Sequence, residues 1–546
     1  MDKKNIIHLG ILNMIEIVKF GNMNSINVID FGYEIQTVLN YLNKIFQTDG
    51  TILCLTFGLL SECMAMSSKF NIFNPKFLKI IKETIRNSPG RGRDENKKLE
   101  GTSFGYPSIA ILDYPLLYLE KIVKLFTQRD KYKAEILTAV METQFEDVLI
   151  EIISNSSFKN EISPRGVSST LNIIADLIGC EYKMIIRKVL REHCIKHLII
   201  FIKRKQYIAI QDWPGYKNNI GLAIAQSIFI TTLRILKTAS ELNGINEEIA
   251  KGDFFFNLRN SFDIIGKDNY RLVIAILNAI LSMKRDEVVL NLIIEHFSKE
   301  NNLKFIDTFG LLTDTTNKEL VSEVLSFLSA LCRKSADVYV AINQLSIFPT
   351  LKMLIESTES SIKSRVCNLL GNMCRHTDYF YDQIKTSGII KPLFNCCYDA
   401  DKATRKFACF FIGNAAFLND KLYESFRPII PRMVELLSDP EDNTRANSAG
   451  AIGNFVRCGD ALCRDIISSK AHEALLKLAE NEGAQQIQII RVALFALGNF
   501  CNHALIRSEL DKINFRARIE ALRNKYRNDN QLLEHIERIK KKLKED

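Results

Sequence analysis

Proline and glycine are scarce: the 546 residues hold 11 prolines and 25 glycines, below the usual shares of about 5% and 7%. So few turn formers exclude a many-stranded sandwich or barrel and leave long helices with short connections. Tryptophan occurs once, at Trp213. The 13 cysteines are scattered with no CxxC pair, so neither a zinc ribbon nor a disulfide framework is indicated and a reducing interior is expected. No apolar run reaches the ~20 residues of a membrane span; the greasiest stretch, 221–233, is broken by Gln226, Ser227, Thr231 and Thr232. The start, MDKKNIIHLGILNMIEIV, has a charged head, but His8, Asn13 and Glu16 interrupt its apolar run and no small-residue cleavage site follows. It reads as a helix rather than a signal peptide, and the chain as soluble and cytoplasmic. Neither sign of charge dominates: 72 Lys and Arg against 63 Asp and Glu give +9, which permits an acidic partner without requiring nucleic acid.

Catalytic signatures are missing too. There is no glycine-rich strand loop, VAIK-type lysine or HRD segment. Asp30-Phe31-Gly32 spells a magnesium-binding tripeptide, but only 29 residues precede it, too few for the lobe and loop that give it meaning. In LREHCIKHLII, His193 and His197 share a helix face beside Glu192 and Cys194, yet no third ligand is near and a solvated helix edge is the simpler reading. Cys458 and Cys463, like Cys367 and Cys374, read as small buried hydrophobes. No nucleophile elbow, phosphate loop or carboxylate pair is present. The expectation is a chain that is no enzyme, with no catalytic residue, cofactor, metal or small-molecule substrate, and no nucleic acid or membrane among its partners.

What is present is apolar and periodic. Hydrophobic residues make up 47% and charged residues 25%, enough for a continuous core. Gly-Asn recurs at Gly371-Asn372, Gly413-Asn414, Gly453-Asn454 and Gly498-Asn499, at intervals of 42, 40 and 45 residues. Each pair closes a similar segment that opens on Arg365, Arg405, Arg445 or Arg491, and 42 residues before Gly371 the motif FLSALCRKS carries Ser329-Ala330 instead. A period of 40 to 45 residues holding three helical stretches is that of armadillo repeats. One unit reads as a third helix over 403–417, a short first helix over 421–426 and a second over 429–437, with a turn at Ser438-Asp439-Pro440-Glu441-Asp442. A glycine late in a helix costs about 1 kcal/mol relative to alanine, so its return in four units points to close packing between repeats. Asn372, Asn414, Asn454 and Asn499 are candidates to bond the backbone of an extended peptide through donor and acceptor; the plainer alternative is a local carbonyl near the helix end. Arg375 and Arg457 would add positive charge along the same groove.

The importin pattern sets a tryptophan four residues before each asparagine. Here those positions are Asn368, Phe410, Gly450 and Phe495, which argues against a cargo adaptor of the importin or catenin kind. Upstream, Asn172 and Asn278 end candidate third helices without the glycine. The fold expected is all-α, a right-handed superhelical solenoid of armadillo or HEAT-like repeats. Its parts are degenerate helical repeats over 1–85, a polar loop or hinge over 86–107, degenerate repeats over 108–320, regular armadillo repeats over 321–510 and a basic capping helix over 511–546. That last segment, with 11 basic and seven acidic residues, covers the final repeat or docks on an acidic surface such as the tails of tubulin.

Three stretches resemble the C-terminal armadillo region of the Fused serine/threonine kinases: LLGNMCRHTDYFYDQI at 369–384, GIIKPLFNCCYDADKATRKFACFFIGNAAFLNDKLYESFRPIIPRMVELL at 388–437, and TRANSAGAIGNFVR at 444–457. The boxes HTDYFYD and RKFACFFIGNAAFLND carry most of the likeness. Weaker echoes are FGYPSIAILDYPLLYL at 104–119, ISPRGVSSTLNII at 162–174 and the turn Asp212-Trp213-Pro214. The resemblance implies a kinase domain that this chain does not spell out, so the chain is a kinase-less relative or the regulatory half of a kinase encoded upstream. It also implies a kinesin, microtubules and the central pair of the ciliary axoneme as partners, with the cilium as a location.

Overall fold

The computed structural model describes residues 54–61, 75–86, 112–128, 130–154, 162–189, 192–213, 216, 219–243, 254, 257–258, 270–283, 291, 317–481, 483 and 486–544. The tripeptide at 30–32 and nearly all of the loop at 86–107 lie outside them. Among the described residues every regular element is a helix. The chain divides into two compact units, 1–292 and 293–546.

In the first unit four long helices pack side by side in chain order: α1 (Asp113–Thr127), α2 (Pro164–Gly179), α3 (Ile220–Asn243) and α4 (Tyr270–Met283). Shorter helices such as Phe145–Ser154 and Arg204–Gln211 pack beside them. α2 starts where Ser163 accepts the Arg165 N–H at 3.1 Å and Pro164 takes the first turn, a start that proline's missing donor makes cheap. Ser163 is itself held by the fully buried Asp113, which accepts its N–H at 3.0 Å and its hydroxyl at 2.5 Å. The echoes at 104–119 and 162–174 thus meet in space. The stretch that looked too short for a membrane belongs to α3, whose residues 220–238 are long and apolar enough by composition to cross one. Here Ile228, Phe229, Leu233 and Leu236 are buried, and the helix packs against α2 and α4 as a core element.

In the second unit six long helices stack consecutively: α5 (Lys318–Lys334), α6 (Ser360–Met373), α7 (Lys402–Ala415), α8 (Asp442–Asn454), α9 (Ile487–Phe500) and α10 (Asn530–Lys542). Two short helices separate each from the next, for example Tyr381–Thr386 with Ile390–Cys396, and Ala504–Lys512 with Phe515–Lys525. This is the three-helix repeat that the Gly-Asn period foretold. Caps set the starts: Asn317, Asp401 and Asp529 accept the N–H of Leu320, Thr404 and Leu532 at 3.1, 2.8 and 2.9 Å, each satisfying one orphan donor. Phe426 ties neighbouring repeats together, its ring 6.2 Å from those of Phe394, Phe411 and Phe455.

Two expected boundaries, at 320/321 and 510/511, fall inside helices Lys318–Lys334 and Ala504–Lys512. The segment 511–546 is not one capping helix: it contains the end of a first helix, a whole second helix and α10, completing the fifth three-helix set among the described residues. Its charges hid this, because Arg518, Arg523 and Lys540 are paired with Glu480, Glu520 and Glu537 across helix surfaces and leave the apolar stripe of Ile519, Leu522, Leu532, Ile536 and Ile539 buried.

Candidate protein-binding face

The four asparagines do something definite, and it lies between helices. Asn414, Asn454 and Asn499 each donate Nδ2–H to the carbonyl of the glycine in the preceding repeat, Gly371, Gly413 and Gly453, at 2.8, 2.9 and 3.1 Å. Asn372 meets Ser329 instead, donating to its hydroxyl at 2.8 Å and to the Asn368 carbonyl at 3.0 Å. Asn372, Asn454 and Asn499 are buried. One Nδ2–H of each of Asn414, Asn454 and Asn499 is thus engaged by the neighbouring long helix, so these residues hold the register of the stack. α10 continues the series: Lys542 donates to the Gly498 carbonyl at 2.8 Å, taking the asparagine's place.

A second set of bonds, not foreseen from the sequence, runs the other way. Tyr339, Tyr381 and Tyr423, spaced 42 residues apart, start or adjoin the short first helices, and their hydroxyls donate to the carbonyls of Asn372, Asn414 and Asn454 at 2.8, 3.4 and 2.5 Å. Burial, with nearby thiols and carboxylates, pushes these phenols well above their ordinary pKa, so they remain donors. The 42-residue tyrosine spacing was the available signal. Within the HTDYFYD box, Phe380 is fully buried 5.1 Å from the Tyr339 ring, and His376 Nε2 lies 3.0 Å from the Arg333 carbonyl. That box is a joint between repeats.

The glycines divide into two kinds. A Cβ on Gly453 would stand 2.6 Å from the Cβ and 2.7 Å from the Cα of Ala496, and one on Gly371 would stand 2.5 Å from the Phe410 ring. Those two need glycine for close approach. At Gly413 and Gly498 the nearest atoms would be 3.6 and 3.5 Å away, an ordinary contact, and packing does not explain them.

Cations also divide. Arg405 is paired with Asp439 at 2.7 Å and Arg491 with Asp529 at 3.1 Å, each joining one long helix to the turn before the next; Lys363 does the same with Asp399. Among the described residues no carboxylate pairs with Arg375, Lys406, Arg457 or Arg538. Arg457 lies flat on the Phe417 ring, 3.5 Å from its centre, and donates to the Phe417 carbonyl at 3.1 Å. Arg538 sits 4.9 Å from the Phe495 ring and Lys406 4.4 Å from Phe407. Such stacking leaves the charge available. Of the predicted site residues, Arg375 and Arg457 are thus exposed at the ends of α6 and α8, whereas Asn372, Asn454 and Asn499 are buried and Asn414 is half-buried.

Other candidates resolve differently. Cys194 is buried, its thiol pKa pushed up to about 12 by burial, and no cluster of three metal-ligating side chains exists among the described residues. Cys367, Cys374 and Cys463 are buried as expected, but Cys458 is exposed, with Sγ 3.6 Å from the Phe417 carbonyl. In the first unit Asn172 donates to Glu120 and accepts from Thr231, both at 2.8 Å, bridging α1, α2 and α3.

No family model matches the chain. A serine/threonine-protein kinase TIO of Arabidopsis thaliana is 36% identical over 97 residues, 15% of this chain and 7% of that protein. The match therefore spans under a tenth of the relative's length. Among solved structures, an engineered protein is similar with a TM-score of 0.55 at 13% identity, covering 86% of this chain and 99% of that one. At this identity the likeness bears on fold alone and agrees with the stacked helices described above. Two designed armadillo repeat proteins, one in complex with the peptide (KR)4, align at 18% and 17% identity over 42% of this chain and 96% and 95% of theirs, both with TM-scores of 0.39.

Proposed function

We propose that this chain is a non-catalytic scaffold that holds an extended segment of a protein partner along the face lined by α5–α10. The observation that carries this reading is the division of labour among side chains. Asparagine amides, tyrosine hydroxyls and one set of cations are consumed in joining repeats, while Arg375, Lys406, Phe417 and Arg457 stay at the surface of helices held in fixed register. Preformed surface of this kind lowers the ordering cost of binding, so many weak contacts sum to useful affinity. The test is proximity labelling in cells with the tagged full chain and its Arg375→Glu/Arg457→Glu variant. A set of proteins labelled by the parent and lost from the variant, at unchanged helicity, is the expected result; an identical set from both removes this face as the binding surface.

A narrower reading is favoured by the Fused-like boxes together with the short stretch of identity to the Arabidopsis kinase. On it the chain corresponds to the regulatory, non-catalytic region of a Fused-type kinase, acts in the cytoplasm or the cilium, and meets a kinesin, microtubules or proteins of the axonemal central pair. Localisation of the tagged chain against a tubulin marker tests this: signal along axonemal or cytoplasmic microtubules is expected, and diffuse signal without them overturns it. Sequencing the transcript 5′ of Met1 for a VAIK lysine and an HRD segment tells a kinase-less relative from a regulatory half.

A further inference from the structure

Charge is unevenly placed along the chain. Residues 183–211 hold eight Lys and Arg against one Glu, a local +7 in a chain whose total is +9. The stretch folds as three consecutive short helices of the first unit, Lys183–Val189, Glu192–Phe201 and Arg204–Gln211, the middle one packed against both others and the set backed by α2, α3 and Phe145–Ser154. Each helix buries one side: Ile185, Ile186 and Val189 in the first, Ile195, Leu198 and Ile199 in the second, Tyr207 and Ile210 in the third. The outward side is basic. Lys183, Arg187, Lys196, Arg204 and Lys205 are exposed, and no carboxylate among the described residues pairs with Lys183, Arg187 or Lys205. Acids stand at the margins: Glu146 and Asp147 are taken by Lys188 at 3.1 and 2.5 Å, and the exposed Glu181 and Asp212 lie just beyond the two ends of the stretch.

Apolar side chains are left among these cations. Of the eleven large hydrophobic residues exposed among the described residues, four fall here: Met184, Ile200, Ile208 and Ile220, between 37% and 45% exposed. Lys196 with Ile200, and Arg204 with Ile208, are four residues apart in one helix and so share a face. Ile220 opens α3 beside them, because a Cβ on Gly221 would stand 2.0 Å from the Gln211 carbonyl that ends the third short helix. Solvation accounts for the cations but not for aliphatic groups set between them. A nucleic-acid strand would want rings on which to stack its bases; none of the four exposed apolar residues is aromatic, and Tyr182 and Tyr207 are buried. An anionic bilayer calls for both features at once, cations for its headgroups and aliphatic side chains for the boundary of its acyl chains.

We propose that the outward face of these three helices docks peripherally on a membrane surface rich in anionic lipid. Lys183, Arg187, Lys196, Arg204 and Lys205 meet the headgroups, and Met184, Ile200 and Ile208 enter the acyl boundary. A contact of this kind needs no membrane span. It belongs to the first unit alone and does not depend on the scaffold reading of the second.

The test is co-sedimentation of the full chain with vesicles of phosphatidylcholine, either alone or with phosphatidylserine as about one lipid in three. Binding to the anionic vesicles is expected to be at least about tenfold tighter than to the neutral ones and to weaken as salt rises. Lys183→Glu/Lys205→Glu should lower it by about tenfold or more. Arg375→Glu/Arg457→Glu, the same change of charge in the other unit, should leave it as it was. Ile200→Ser/Ile208→Ser should weaken binding by about tenfold at every salt concentration, since an apolar contact is not screened. All of these positions are exposed, and thermal denaturation followed by circular dichroism checks that each variant folds. Absence of binding to the anionic vesicles, or equal losses from the two charge reversals, overturns the inference. Binding unmoved by Ile200→Ser/Ile208→Ser, or a labelled poly(dT) strand or poly-glutamate peptide held more tightly than the vesicles, assigns the face to another polyanion and overturns it too.

Discussion

The two units solve the same problem with different bonds. In the second, besides ion pairs such as Arg405 with Asp439, side chains reach for backbone: Asn414 to the Gly371 carbonyl, Tyr381 to the Asn414 carbonyl, and Asn454 to the Gly413 carbonyl. In the first, the ties join side chain to side chain: Asn172 to Glu120, Thr231 to Asn172, Arg234 to Asp176 at 2.9 Å, Ser168 to Ser227 at 2.9 Å. A carbonyl cannot mutate, so a partner that seeks it must stay in place and in phase. A pair of side chains can drift together, provided each keeps its opposite number. Backbone-directed joints preserve a readable period; side-chain joints let it dissolve.

The largest effect should come from forcing a side chain into the tight joint. Gly453→Val places atoms into Ala496 and is expected to destabilise the second unit by about 3 kcal/mol, whereas Gly413→Ala, with clearance around it, should be neutral or stabilise by up to about 1 kcal/mol. Urea denaturation of the full chain, with the two units resolved by local tryptophan or cysteine labels, would show it. Equal losses at the two glycines would refute the distinction drawn between them.

Next come the joints themselves. Tyr423→Phe removes the donor to Asn454 and the acceptor for the Cys458 N–H, and Asn414→Ala leaves a part-buried carbonyl without its amide; each should cost about 1 to 2 kcal/mol. Asn172→Ala should cost less, about 0.5 to 1 kcal/mol, because Glu120 is a half-buried side chain that can turn to water. Amide exchange at the repeat boundaries measures both, and a larger cost at Asn172 would break the contrast.

The smallest effect depends on pH. His472 is buried, with Nδ1 unpartnered and Nε2 4.0 Å from Glu473. Burial lowers its pKa, against the pull of Glu473 and Glu509 and with the push of Lys470. The folded form resists protonation while the unfolded chain accepts it, so stability is full above the ordinary value of about 6.5 and falls as pH drops through the lowered one. The denaturation midpoint of the parent should decline over that window and that of His472→Leu should not. A flat profile in the parent would remove the histidine from the account.

Much of the second unit could be read in advance. Helix content followed from scarce proline and glycine, and the third helix expected over 403–417 appears as Lys402–Ala415. The Gly-Asn step marked the positions where repeats touch. What it could not say was which way the amide points: a bond to a groove peptide and a bond to the next helix need the same residue at the same place, and only packing decides. The last repeat escaped notice because Lys542 stands where asparagine was sought. The first unit gave little, since Asp113 and Ser163 are 50 residues apart and neither recurs.

The paired ladders in the second unit also have a mechanical meaning. Bonds from Asn454 back to Gly413 and from Tyr423 forward to Asn454 cross the same junction and share any load drawn along the stack. Successive junctions lie in series, so extension is divided among them and the softest sets where the array first gives. At α10 the load passes through longer stems, Lys542 to the Gly498 carbonyl and Arg538 to Asn499 Oδ1, in place of one short amide, so the last junction shares it among side chains rather than along a single rigid bond.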